Sequence, residues 1–62
     1  MFETFIINKK WFHFYKNKIT GSWDVRNGDY NYHKTFIGYS IKQIKQKIKL
    51  DLGITGNFRS VK

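Results

Sequence analysis

Apolar and polar positions alternate along much of the chain from Thr4 to Phe36 and give way to helical spacing after Ser40. A period of two predicts strands and a period near 3.6 predicts a helix, so strands come first and one helix last. Asn27-Gly28 predicts a two-residue hairpin loop, because both central residues of a type I′ turn need positive φ. That loop pairs Arg26 with Asp29, Val25 with Tyr30, Trp23 with Tyr32, Gly21 with Lys34 and Ile19 with Phe36. On the other face Asp24 meets Asn31, Ser22 meets His33 and Thr20 meets Thr35. One face is mostly apolar and the other almost wholly polar. A one-residue slip would exchange them, so the pattern supports the register.

Trp11 to Lys16 is dense in aromatics and predicts the preceding strand. With Asn17-Lys18 as a second two-residue loop, Phe14 faces Gly21 and Phe12 faces Trp23. Trp11, His13 and Tyr15 then share the polar face with Asp24, Ser22 and Thr20. Glu3 to Asn8 is β-prone at Thr4-Phe5-Ile6-Ile7. It is either a further edge strand with its turn at Lys9-Lys10, or the start of one long bent strand.

Ser40 followed three residues later by Gln43 predicts a capping box and a helix start. Tyr39 and Ile44 suit a hydrophobic staple, and Gly38 relieves the bend before the helix. Gly53 suits the left-handed residue after the last turn, with Ile54 folding back on Ile48. Ile41, Ile44, Ile48 and Leu52 form one stripe that should pack on the apolar sheet face. The segment 55–62 is polar apart from Phe58 and Val61 and is expected to fray. The expected fold is α+β: a three-stranded, or four-stranded, antiparallel sheet with one C-terminal helix on one face (βββα), in a single domain spanning 1–62.

Composition narrows the class. A chain of 62 residues holds one domain, and a domain this small buries only about 60% of its unfolded surface. With 40% hydrophobic and 19% aromatic residues it is too apolar for a disordered basic tail. There is no cysteine, hence no disulfide and no thiolate metal site. Phe5-Ile6-Ile7 and Trp11-Phe12 are the longest apolar runs, too short to cross a membrane. Met1-Phe2-Glu3 opens no secretory signal, so the expected location is cytoplasmic.

Twelve Lys and Arg stand against four Asp and Glu, a formal charge of +8. Lys, Asn, Ile, Phe and Tyr, all with AT-rich codons, supply 33 of the 62 residues, and alanine is absent. Codon bias therefore explains part of the lysine count, but not the scarcity of Asp and Glu, whose codons are also fairly AT-rich. Such a balance favours a polyanionic partner. The same composition fits a phage or other mobile element.

Two constellations carry candidate chemistry. Lys42, Lys45 and Lys49 line one flank of the helix and suit phosphates, or form an ordinary solvated face. On the polar sheet face the expected rows are Trp11–Asp24–Asn31, His13–Ser22–His33 and Tyr15–Thr20–Thr35, with Arg26 at the turn end. Exposed aromatics among hydrogen-bonding groups and cations can stack on bases and read their edges. Alternatively the N-terminal strand or the tail folds over Trp11 and Tyr15 as a second core. His13 and His33 lie two strands apart with no further ligand nearby, so no metal is expected. The scattered carboxylates offer no nucleophile–base set, so neither an enzyme nor a cofactor is expected.

The reading is a non-enzymatic nucleic-acid-binding module, for DNA or RNA. Lys16, Lys18, Arg26, Lys42, Lys45 and Lys49 would hold phosphates, while Trp11, His13, Tyr15 and His33 would contact bases or sugars. The alternative is a small phage- or mobile-element-type interaction protein that binds and modulates a host protein, adding its strand at an open edge near Thr4–Ile7. A membrane partner is disfavoured, since the helix stripe lacks aromatics and is needed by the sheet.

Overall fold

Five strands and one helix follow one another: β1 (Phe2–Ile7), β2 (Lys10–Lys16), β3 (Trp23–Asn27), β4 (Tyr32–Phe36), α1 (Ile41–Leu52) and β5 (Arg59–Ser60). The computed structural model describes residues 2–61, so Met1 and Lys62 (the end of the expected tail) lie outside the described residues. All strands join one antiparallel sheet in the order β4-β3-β2-β1-β5. The expected class forms, an antiparallel sheet with a C-terminal helix, but with five strands instead of three or four. No helix among the described residues is long and apolar enough to cross a membrane.

The N-terminal segment is a separate strand, and it is not an edge. β1 pairs with β2 on one side and with β5 on the other, Phe5 opposite Ser60 and Ile6 opposite Arg59. The open edge expected near Thr4–Ile7 is thus occupied by the chain's own segment after the helix. The turn before β2 is Asn8-Lys9, one residue earlier than expected, since Ile7 pairs with Lys10. Both central residues are left-handed, Asn8 at φ 49° and Lys9 at φ 64°. This is the two-residue hairpin of the molecule, built with lysine where glycine is usual.

Asn27-Gly28 does something else. Gly28 has no positive φ, and Asn27 belongs to β3, opposite Tyr32. Residues 28–31 make a four-residue loop, ended by the left-handed Asn31 at φ 51°. Asn27 is buried; its Oδ1 accepts from the Tyr30 amide at 2.8 Å, and its Nδ2 donates to the Trp11 carbonyl at 2.7 Å. An asparagine side chain that mimics a turn carbonyl starts the loop here; it does not sit at its centre. Asn17 behaves alike, its Oδ1 accepting from the amides of Ile19 at 2.8 Å and Thr20 at 3.2 Å. The expected Asn17-Lys18 turn is therefore the start of a six-residue connection, 17–22.

Longer loops move the register. His13 pairs with Arg26 where Ser22 was expected, and Trp23 pairs with Phe36 where Tyr32 was expected. Each step is four residues, an even number, so every described side chain in these strands keeps its expected face. Ile19, expected opposite Phe36, instead lies at the tip of the connection, 94% exposed.

The inner face, toward α1, carries Phe5, Ile7, Phe12, Phe14, Trp23, Val25 and Phe36, all buried. Ile44 and Ile48 of the helix and Ile54 close this core, with Ile41, Leu52 and Phe58 packed at its margin. At about 1.5–3 kcal/mol for each large apolar side chain buried, this cluster is what opposes chain entropy. The capping box forms: the Gln43 amide donates to Ser40 Oγ at 3.3 Å, and the Ser40 amide donates to Gln43 Oε1 at 2.9 Å. Gly53 takes the left-handed C-cap at φ 64°. Tyr39 packs edge-on to Phe36, ring centroids 5.7 Å apart.

A polar clasp fixes the helix end to β4. Lys34 Nζ donates to Asp51 Oδ2 at 3.1 Å, and the Tyr32 hydroxyl donates to the same oxygen at 3.3 Å. The Lys34 hydrogen bond holds the Asp51 carboxyl below its ordinary value of 3.8. Burial, and then the Asp51 charge, push the Tyr32 phenol up to about 12.

Candidate nucleic-acid interface

The outer face of the sheet, turned away from α1, is built by the alternate residues of each strand. Registers across β4-β3-β2-β1 give one row His33–Arg26–His13–Thr4 and a second row Thr35–Asp24–Tyr15–Phe2. Trp11 pairs with Ile6 and Ile6 with Arg59, which begins a third. The expected alignment of β2 with β4 holds, since the two four-residue shifts cancel: His13 shares a row with His33, and Tyr15 with Thr35. The β3 members change. Arg26, expected at the turn end, lies between the two histidines, and Asp24, expected beside Trp11, lies beside Tyr15.

Among the described residues no element covers this face. Trp11 is 48% exposed, Tyr15 46% and Phe2 54%. The alternative, cover by the N-terminal strand, does not occur, because β1 lies beside β2 in the sheet plane. It adds to the platform instead. Phe2 lies against Tyr15 with centroids 4.7 Å apart, and is nearly parallel to His13 at 5.9 Å. Thr4 Oγ1 lies 3.2 Å from His13 Nδ1, which orients that ring. Phe2, Thr4, Trp11, His13 and Val61, together with Glu3 and Ser60, line a cleft of about 500 Å³. At the β4 side the Thr35 hydroxyl donates to Asp24 Oδ1, and His33 Nε2 lies 3.7 Å from the same oxygen. Asp24 is thus held by its own sheet neighbours.

Five of the ten expected site residues, Trp11, His13, Tyr15, Arg26 and His33, come together on this face. Lys18 is exposed in the 17–22 connection. Lys16 pairs with Trp23 at the inner-face position, its Nζ 5.7 Å from the Trp23 ring centre. Lys42, Lys45 and Lys49 lie on the helix layer, lining a smaller cleft with Gln46, Asn57 and Phe58. The helix lysines and the sheet-face residues thus lie on opposite layers, as the two constellations in the sequence implied, while Lys16 and Lys18 join neither. Phe2, Thr4 and Arg59 join the outer face unforeseen. The period-two spacing of Phe2, Thr4 and Ile6 was a readable signal; the β5 pairing that brings Arg59 was not.

Among the described residues no group of three His, Asp or Glu side chains converges as a metal site. Arg26 between the histidines sets a cation where a metal would need a ligand. Comparison with known proteins finds no match to any family model, curated protein or solved structure.

Proposed function

We propose that this protein is a non-enzymatic module that binds single-stranded nucleic acid, DNA or RNA, on the outer face of its sheet. One observation carries the reading: Phe2, Trp11 and Tyr15 each leave about half of the residue's surface in solvent on an uncovered sheet face. Arg26, His13 and His33 lie among them in one row. Aromatics on an open sheet stack on unpaired bases at ~1–3 kcal/mol each, and a duplex hides the base faces they need. The net charge of +8 supplies the general attraction to a polyanion. The competing reading is a host protein that adds a strand; near Thr4–Ile7 such a strand would meet β5, which pairs with Phe5 and Ile6.

Anisotropy titrations with a labelled single strand and the matching duplex test this. The single strand binds more tightly. Its salt dependence is shallow, a log–log slope on the order of −2, because one strand on this face meets Arg26, Arg59 and few other cations. Trp11→Ala/Tyr15→Ala weakens binding at least about tenfold while the fold persists. No binding at low salt, or a double variant that binds like the parent, overturns the proposal.

A further inference from the structure

The strongest charged patch outside that face is the lysine flank of α1. Lys42, Lys45 and Lys49 line its cleft with Gln46, Asn57 and Phe58, and no carboxylate is among the lining residues. Asp51, the acidic residue of α1, is drawn to the opposite flank by Lys34 and Tyr32. Lys47 also leaves the cleft, its Nζ 5.7 Å from the Tyr39 ring centre. Lys45 is half-buried with its Nζ 3.8 Å above the Phe5 ring, which fixes one cation at the core margin. From Lys42 to Lys49 the helix rises roughly 10 Å, over which one nucleic-acid strand presents about three phosphates. Phe5 belongs to the inner face of the sheet, so this cleft and the aromatic platform lie on opposite layers. One strand lying flat on either surface leaves the other free.

We infer that the protein is bivalent: the helix cleft takes the sugar-phosphate backbone of a second nucleic-acid segment while the sheet face holds the first. This rests on the proposed single-strand binding and goes beyond it, since it makes the protein a bridge between segments. The two surfaces differ in what they read. The platform stacks on bases and needs them unpaired, whereas the cleft offers three lysines and two amides beside the half-buried Phe58, and these charges accept paired or unpaired backbone alike.

The test mixes donor-labelled and acceptor-labelled copies of one short single strand with increasing protein. The longest extent of the molecule is 32 Å, so two bridged strands come close enough for energy transfer. Transfer rises to a maximum and then falls as excess protein separates the strands, the signature of bridging. Lys42→Gln/Lys49→Gln keeps Lys45 over Phe5; it loses most of the transfer yet binds one strand within about twofold of the parent. Binding of the single strand without transfer overturns bivalency and leaves the proposed function standing. Transfer that survives in the lysine variant also overturns it, because bridging would then need another surface. If no strand binds at all, the proposed function falls and the bridge falls with it.

Discussion

β2 carries an aromatic ring at every position from Trp11 to Tyr15, and the two faces of that strand meet opposite fates. Phe12 and Phe14 are wholly buried beneath α1, whereas Trp11 and Tyr15 keep nearly half their surface in water. The aromatic density is the same on both sides; what differs is the company. Phe12 is met by Tyr30, Tyr32 and Phe58, and Phe14 by Phe5 and Trp23. Trp11 has the aliphatic Ile6 and, one strand further, Arg59. Hydrophobic composition therefore says little about where a ring sits in a two-layer fold this small. The period-two alternation says nearly everything.

The largest effect expected from breaking this contrast is at Phe12. Phe12→Ala removes the ring at the centre of the inner face and should cost ~3–5 kcal/mol. At about 0.05–0.15 kcal/mol per residue, that approaches the whole stability of a domain this size. Far-ultraviolet circular dichroism should show a chain largely unfolded at 25 °C. A cooperative melt near that of the parent would mean that Phe12 lies on the wrong face.

Asn27→Ala comes next, and it tests the join between the faces. The side chain ties the Trp11 carbonyl on one strand to the Tyr30 amide in the next loop. Its loss leaves a part-buried carbonyl and the Tyr30 amide without these partners and should cost ~1–3 kcal/mol in denaturant titrations. Asn27→Asp keeps an acceptor for Tyr30 but removes the donor to Trp11, so it should not restore stability. A neutral Asn27→Ala would show that the residue is an ordinary turn position.

Asparagine is also where the sequence misled. Asn-Gly at 27–28 has the strongest hairpin chemistry in the chain, yet the left-handed two-residue turn forms at Asn8-Lys9. Local preference at a dipeptide cannot weigh a part-buried hydrogen bond from Asn27 to a carbonyl 16 positions away. The face assignment survived because the resulting shifts were even. The helix ends were legible, since Ser40, Gln43 and Gly53 act within one turn of chain. The fifth strand was not, because two residues of β5 carry no periodicity and depend on β1 for a partner. For the same reason Arg59 could not be placed beside the aromatics.

A smaller and pH-dependent effect is expected at the clasp between β4 and α1. The folded state holds the Asp51 carboxyl below 3.8. Its contribution is therefore present above that value and is lost as pH falls through the lowered one. Asp51→Asn should reduce the melting temperature slightly near neutrality, and the gap should close as pH falls through the lowered value. The Tyr32 shift has the opposite sign. With the phenol raised from 10.0 to about 12, its contribution is complete below 10.0 and fades as pH rises through 12. A gap that persists unchanged in acid would show that Asp51 acts through packing, not charge.

The smallest expected change in stability is the one that separates the faces most cleanly. Trp11→Ala removes an indole of the same size as Trp23 from the same sheet, but from its open side. The main chain at this position, whose carbonyl accepts from Asn27, is untouched by the substitution. Loss of a half-exposed side chain with no buried partner should move stability by no more than about 0.5 kcal/mol. Trp23→Ala, from the inner face, should cost ~3–5 kcal/mol and serves as the matched comparison. Thermal melts of the two variants measure the contrast directly. If the pair behaves alike, the outer face carries a hidden core and is no platform. If Trp11→Ala melts with the parent yet binds a single strand more weakly, the indole is kept on the surface for a partner, because the fold itself has no use for it.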